Sequence, residues 1–176
     1  MKPLTALAIS LGILAGIAVW GFLSIGSLLI WAALIALGCY FQAGGDQAAL
    51  RNTVVCNIFG AILGWLAALL ILVSPFTPKM GLPLSAAILV GITIMILVAA
   101  ANVKALSAIP ASVYGYAAVF AFLLQTTGKL TVANLLSLSL NNALIVVAVS
   151  MVIGSVLGFV ASLVSAQLTH KATATA

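Results

Sequence analysis

Charged residues are almost missing from this sequence. Of its 176 residues, six are Lys or Arg, one is acidic and one is His, so that 4% of the chain is charged and 65% is hydrophobic. Soluble chains carry about 25% charged residues, because polar side chains must cover the folded surface. The mean hydropathy of +1.41 points the same way. The sequence therefore predicts an integral membrane protein whose main partner is the lipid bilayer.

The shortage of acids also excludes most enzyme chemistry. Asp46 is the single acidic residue, so no pair of carboxylates can act as general acid and base. A Ser-His-Asp triad would need His170, which lies in a polar segment near the C-terminus. Cys39 and Cys56 have no neighbouring His or second Cys, so metal-ligand spacing is absent. We expect no enzymatic activity, catalytic residue, metal or cofactor, and the scattered single cations predict no nucleic-acid binding.

Apolar runs of the length of membrane helices fill most of the chain. Six are recognisable, at Leu4–Phe22, Ser27–Phe41, Thr53–Val73, Leu82–Ala101, Ala105–Leu124 and Ala143–Ala166. A spanning helix needs about 20 apolar residues, and the second run is shorter, so five spans remain an alternative. A short helix is predicted around Thr131–Leu140, and 167–176 has the composition of a polar tail. We predict one all-α domain over residues 1–176, a bundle of about six transmembrane helices.

The basic residues indicate how the bundle is oriented. With six spans they divide four against two between the membrane faces, as Lys2, Arg51, Lys104 and Lys171 against Lys79 and Lys129. Basic residues are enriched on the cytoplasmic side of membrane proteins. The pattern therefore predicts that both termini are cytoplasmic.

Two apolar segments match each other at a constant offset of 94 residues. Gly60-Ala-Ile-Leu-Gly64-Trp-Leu-Ala-Ala-Leu69 aligns with Gly154-Ser-Val-Leu-Gly158-Phe-Val-Ala-Ser-Leu163. A three-helix repeat would invert its second copy, giving halves 1–78 and 79–166 in a 3+3 arrangement typical of transporters and channels. The alternative is chance similarity between helices rich in Gly, Ala and Leu.

Glycines four residues apart predict close helix packing. Gly60 with Gly64, Gly154 with Gly158, and Gly12 with Gly16 each place two small residues on one helix face. Such faces let helix backbones approach in lipid, either within one subunit or between subunits. We expect a homo-oligomer held by glycine faces.

The polar segment Gln42–Asn52 is one candidate for a solute path. Gly44 and Gly45 permit backbone conformations closed to other residues, and Asp46 follows them. If this segment re-enters the membrane, its free backbone groups would line a cavity. The alternative is a short cytoplasmic loop in which Asp46 and Arg51 form a solvated ion pair.

The second candidate path lies on the fifth apolar run. Pro110 removes one helical hydrogen bond there. Ser112, Tyr116 and Phe120 follow on one helix face, with Gly115 beside them. A hydroxyl, a phenol, an aromatic ring and bare backbone would form a narrow, uncharged constriction. The alternative is ordinary helix packing with aromatic residues at the membrane interface.

These same residues resemble a known family. The segment Pro110-Ala-Ser112-Val-Tyr-Gly115-Tyr-Ala-Ala118-Val-Phe120-Ala121 is similar to one in the DUF1097 family, and so is Tyr40-Phe41 followed by Gly44-Gly45. The resemblance covers roughly Leu4 to Ser165. It implies a small protein of the bacterial inner membrane, and it implies no activity.

Three functions remain open from the sequence. The first is a channel or facilitator for a small neutral or weakly polar solute of the urea, ammonia or short-amide class, because ion-coupled transport normally needs ionisable groups within the membrane. The second is a structural or accessory membrane protein without transport activity. The third is an ion-coupled secondary transporter that uses Asp46.

Overall fold

The computed structural model describes residues 1–174, with side chains up to Thr169, and this part of the chain contains helices and no strand. Its helices are α1 (Pro3–Ile25), α2 (Ile30–Gln42), α3 (Gln47–Val73), α4 (Thr77–Met80), α5 (Leu82–Ala99), α6 (Ile109–Gln125), α7 (Val132–Leu135) and α8 (Ala143–Ala174). Two 3-10 turns, Ala100–Asn102 and Lys104–Leu106, join α5 to α6. Helices suit this apolar chain because each satisfies its own backbone hydrogen bonds, which lipid does not.

The fold is that of a multi-pass membrane protein, as the composition predicts. Four helical segments are long and apolar enough to cross a membrane, at Pro3–Ile25, Gln47–Val73, Leu82–Asn102 and Ala143–Thr169. Ile30–Gln42 and Ile109–Gln125 are apolar but shorter. At about 1.5 Å per residue, α2 is roughly 20 Å long, against a hydrocarbon layer of about 30 Å. The all-α membrane class is therefore confirmed, whereas the count of six spans depends on how α2 and α6 sit in the bilayer.

Three predicted boundaries need correction. The polar segment predicted as a loop over Gln42–Asn52 shrinks to residues 43–46, because Asp46 caps α3 and the helix already begins at Gln47. The short helix predicted around Thr131–Leu140 is reduced to Val132–Leu135. The tail predicted at 167–176 is helical as far as Ala174, as an extension of α8.

The helices form a four-helix core with two outer helices. α3 packs against α8 at the centre, α6 lies along α3, and α2 lies along α8. α1 covers α8 from outside and α5 covers α3. α3 and α6 run in the same direction, since Gly60 meets Ser112 and the later Gly64 meets Tyr116.

Small residues fill the centre and large apolar ones face outward. The core cluster contains Ala32, Ala36, Ala61, Ala118, Val119, Val146, Val147 and Met151, all nearly inaccessible. The outer helices expose large side chains, such as Trp20 on α1 and Met95 on α5. This distribution is expected where lipid solvates the outside, because close van der Waals contact then replaces the hydrophobic drive between helices.

The connection between α6 and α8 folds back onto the bundle. Leu135 in α7 is fully buried, and its carbonyl oxygen accepts hydrogen bonds from Trp65 Nε1 and Asn142 Nδ2, each at 2.8 Å. The long connection is therefore tied to α3 and to the start of α8.

Candidate functional site

α3 and α6 approach each other backbone to backbone, and buried polar side chains lie on the two helices at this contact. A methyl group built on Gly60 would lie 1.8 Å from the Ser112 carbonyl oxygen, and one on Gly115 would lie 2.0 Å from that of Asn57. Only glycine allows such an approach, because any Cβ would overlap the facing carbonyl. The α3–α6 contact is thus made by backbone against backbone.

Three neutral polar side chains are buried in this part of the bundle without a hydrogen-bond partner. Thr53 and Asn57, one turn apart on α3, are 0% and 1% exposed, and Ser112 on α6 is 1% exposed. Thr53 Oγ1, Ser112 Oγ and both amide atoms of Asn57 have no partner. Leaving a buried polar group unpaired costs about 1–3 kcal/mol. We call Thr53, Asn57 and Ser112 the polar trio.

The polar trio can act on a small ligand only through neutral hydrogen bonds. Two hydroxyls and one amide supply both donors and acceptors. None of them can neutralise an ion, which would need an opposite charge or a full set of oxygen ligands. The chemistry therefore suits water or a small neutral molecule that both donates and accepts.

A cleft of about 200 Å³ opens between the end of α2 and the start of α6. It is lined by Cys39, Gln42, Ala43, Ala108, Pro110 and Ala111. Cys39 and Ala111 also pack together with Cys56, which is fully buried. Cys56 and Ala111 immediately precede Asn57 and Ser112 in the chain. Asn57 and Ser112 are thus the direct chain neighbours of two residues that pack against the cleft-lining Cys39.

The residues predicted to form a constriction on α6 lie in two different environments. Ser112 and Gly115 lie at the contact with α3, as described above. The Tyr116 hydroxyl instead forms a hydrogen bond of 2.8 Å with Thr93 Oγ1 on α5, and the ring packs against Phe120 with a centroid distance of 5.3 Å. Tyr116 and Phe120 are therefore engaged in packing, and they do not line the cleft.

The predicted path at Gly44, Gly45 and Asp46 is a tight turn between α2 and α3. Gly44 and Gly45 have φ values of 118° and 71°, a region that favours glycine. The Tyr40 hydroxyl donates to the Gly45 carbonyl oxygen, and Asp46 Oδ1 accepts from the Ala49 N–H at 2.7 Å. The turn occupies residues 43–46 and holds the end of α2, whose Gln42 lines the cleft.

The alternative interpretation of that segment included a solvated ion pair between Asp46 and Arg51. The Asp46 carboxylate instead caps α3, and no ion pair between the two is present among the described residues. Helix capping by a carboxylate satisfies an N–H that would otherwise lack a partner.

The predicted packing glycines fall into two groups. On α8, a methyl group built on Gly154 would lie 1.9 Å from the Ala33 carbonyl oxygen, and one on Gly158 would lie 2.6 Å from the Tyr40 ring. Gly64 likewise approaches the Tyr116 carbonyl. Gly12 and Gly16 on α1 have nothing within 4 Å, so any packing role for them concerns a second chain.

Sequence reasoning missed Thr53 and Asn57. Both lie at the start of the apolar run on α3, where they were treated only as part of a span. Their spacing of four residues on one helix face was the available signal, since polar residues within membrane helices are costly and mark functional positions.

Within the described residues, no group of three His, Cys, Asp or Glu side chains is placed to hold a metal ion. Cys39 and Cys56 are free and buried. The site offers hydroxyl, amide and thiol groups only.

The sequence profile of a family described as proteins of unknown function, DUF1097, matches residues 8–166. The chain belongs to the DUF1097 family. The resemblance seen in its α2 and α6 segments is thereby confirmed. No curated protein and no solved structure matches this DUF1097 chain. The match covers all of α2, α3, α5 and α6 and most of α1 and α8, and it includes the α3–α6 contact and the cleft.

Proposed function

We propose that this protein is a channel or facilitator for a small, neutral, hydrogen-bonding solute, of the urea, ammonia or short-amide class. The observation that carries the proposal is the polar trio, with four buried polar atoms that lack partners. A solute that both donates and accepts hydrogen bonds would satisfy these groups and recover part of their burial cost. The trio itself carries no charge, which favours neutral molecules over ions.

The proposed route enters through the cleft and passes the contact of Cys39, Cys56 and Ala111. These three side chains form one buried cluster, and Cys39 and Ala111 of that cluster line the cleft. Conduction therefore requires α2 to move relative to α3 and α6. Beyond the contact, Asn57 and Ser112 receive the solute.

We also propose six spans arranged as a 3+3 inverted repeat. The helix contacts support it, because α1 and α2 pack on α8 as α5 and α6 pack on α3. The glycine contacts repeat in the same way, with Gly60 against the Ser112 carbonyl and Gly154 against the Ala33 carbonyl. In this arrangement α2 and α6 are the second spans of each half, and α3 and α8 are the third.

The orientation and assembly are further parts of the proposal. Arg51 and Lys104 line one pocket, near the N-terminal ends of α3 and α6. Lys79 and Lys129 come after the C-terminal ends of these two helices, at the other end of the bundle. By the positive-inside rule, this supports cytoplasmic termini in a bacterial inner membrane. The open glycine face of α1 supports a homo-oligomer.

A second candidate function is a structural or accessory membrane protein. The observation that favours it is α1, where methyl groups built on Gly12 and Gly16 would meet nothing within 4 Å. A helix with such a face is suited to pack against another membrane helix.

Solute flux distinguishes the two candidates. Proteoliposomes of the intact protein should swell in urea, acetamide or other neutral solutes faster than empty liposomes, independently of ion gradients. In the double variant Thr53→Val/Ser112→Ala, the first change keeps the side-chain shape and the second deletes one oxygen atom, so that two unpartnered hydroxyls are removed. It should fold at least as stably and conduct more slowly.

The matched control is Ser10→Ala on α1. Ser10 is also buried, but its hydroxyl donates to Ala6 in its own helix and lies outside the polar trio. Its flux should equal that of the wild type. If no neutral solute passes through the folded wild-type protein, the channel proposal is wrong and the accessory function is favoured.

A further inference from the structure

A second pocket, distinct from the cleft, lies at the basic end of the bundle. It has a volume of about 360 Å³ and is lined by Arg51, Asn52 and Val55 of α3 and by Lys104 and Ala105 of the second 3-10 turn. Two cations and an amide thus face one concave surface from two separate elements. A guanidinium, an ammonium and an amide are the groups that bind phosphate oxygens.

Local contacts hold the two sides of this pocket together. The Cys56 thiol, one turn after Asn52, lies 3.7 Å from the Ala105 carbonyl oxygen as a hydrogen-bond donor. The Ser107 hydroxyl donates to the Lys104 carbonyl oxygen at 3.0 Å. The turn that carries Lys104 is therefore fixed against α3, and the pocket is a built feature of the fold.

The two cations of the pocket have no acidic partner. No ion pair involves Arg51 or Lys104 in the described part of the chain, and the one carboxylate, that of Asp46, accepts from the Ala49 N–H. Like charges that share a concavity repel each other, and an anion placed between them removes this cost. The charge pattern therefore calls for an anionic occupant.

The position of the pocket defines what kind of anion fits. The apolar stretch of α3 begins at Thr53, directly after Asn52, and the apolar stretch of α5 ends shortly before Lys104. The polar groups thus lie where the chain meets the headgroup layer. Val55 in the pocket and Val103 beside it are 36% and 56% exposed, so apolar surface continues from the basic groups towards the lipid. The occupant must combine an anionic head with apolar chains.

We propose that this pocket binds the phosphodiester headgroup of an anionic phospholipid, with Arg51 and Lys104 on the phosphate oxygens and Asn52 as a neutral donor. The lipid occupies the junction of α3 with the α5–α6 connection. This proposal rests on the membrane fold and the pocket, and it stands whether or not the protein conducts a solute.

Native mass spectrometry of the purified full-length protein tests the assignment. The delipidated protein in detergent is titrated with phosphatidylglycerol and, separately, with phosphatidylcholine of identical acyl chains. The wild-type protein should bind phosphatidylglycerol more tightly than phosphatidylcholine. Arg51→Gln/Lys104→Gln should weaken phosphatidylglycerol binding about 30-fold, from about fivefold for each cation, and leave phosphatidylcholine binding unchanged.

The control variant is Lys79→Gln/Lys129→Gln, which removes the same charge from two connections outside the pocket. It should bind phosphatidylglycerol as the wild type does, and thermal unfolding of both double variants checks that each is folded. An equal loss in both variants, or equal binding of the two lipids by wild type, refutes the proposal. Displacement of the lipid by an equal concentration of inorganic phosphate would instead identify a site for a free anion and overturn the lipid assignment.

Discussion

Replacement of Gly60 by Ala should destabilise the protein far more than the same replacement at Gly12. The built methyl carbon at Gly60 lies 1.8 Å from the Ser112 carbonyl oxygen and 2.6 Å from its carbonyl carbon. Ordinary contact begins near 3.4 Å, so α3 and α6 must separate locally by roughly 1.6 Å. The obstacle is backbone, which cannot rotate away as a side chain can.

The magnitude follows from two opposing effects. Overpacking costs about 1–3 kcal/mol, and a clash with backbone belongs at the upper end of that range. Ala is a better helix former than Gly by up to about 1 kcal/mol, which offsets part of the cost. Gly60→Ala should therefore lose about 2 kcal/mol, whereas Gly12→Ala, with nothing within 4 Å, should be neutral or slightly stabilising.

Thermal unfolding in detergent, followed by circular dichroism, measures the difference. At roughly 2–4 °C per kcal/mol for a chain of this size, Gly60→Ala should melt about 4–8 °C below wild type. Gly154→Ala, which faces the Ala33 carbonyl at 1.9 Å, should behave similarly. If the Gly60→Ala and Gly12→Ala variants unfolded at the same temperature, the close contact between α3 and α6 would not exist in the folded protein.

Three further outcomes are expected. Tyr116→Phe and Thr93→Val should each cost about 1 kcal/mol, and a double-mutant cycle in thermal unfolding should show that the losses are not additive, because both remove one hydrogen bond; additive losses would contradict the bond. Trp65→Phe removes the donor to the α7 carbonyl, and hydrogen exchange should accelerate in α7 while that of α1 stays unchanged. Asp46→Ala should cost about 1 kcal/mol through loss of the helix cap, whereas Asp46→Asn should nearly retain stability and leave solute flux unaltered; flux that needs a proton gradient and is abolished by Asp46→Asn would support a coupled transporter instead.

The helices were predictable because lipid leaves the chain few alternatives. Apolar runs bounded by glycine, proline and polar residues predicted the long helices to within a few residues, except at two places. α8 continues beyond the predicted Ala166 to Ala174, and α3 begins at Gln47, before the predicted Thr53. That boundary was misplaced because the side chain of Asp46 acts as a helix cap, and the surrounding polar residues gave the segment the composition of a loop.

The candidate site was only half predictable. Ser112 and Gly115 were selected from their place after Pro110, but their partners Thr53 and Asn57 come from a helix more than fifty residues earlier. Which faces of α3 and α6 meet depends on the glycine contacts, and these are a property of the packed pair. Tyr116 shows the same limit, because its hydroxyl bonds to Thr93 on a third helix.

The pairing of α2 with α8 sets the order in which the protein can be completed during synthesis. The Leu29 N–H donates to Ser150 Oγ across 121 residues, and the Tyr40 hydroxyl reaches Ser162 Oγ across 122. α1 and α2 therefore leave the ribosome long before the helix on which they chiefly pack. The alanine-containing faces of the early helices stay uncovered in the bilayer until α8 is inserted and closes the bundle. A chain cut short before α8 would lose the partner of its first two helices as well as its own end.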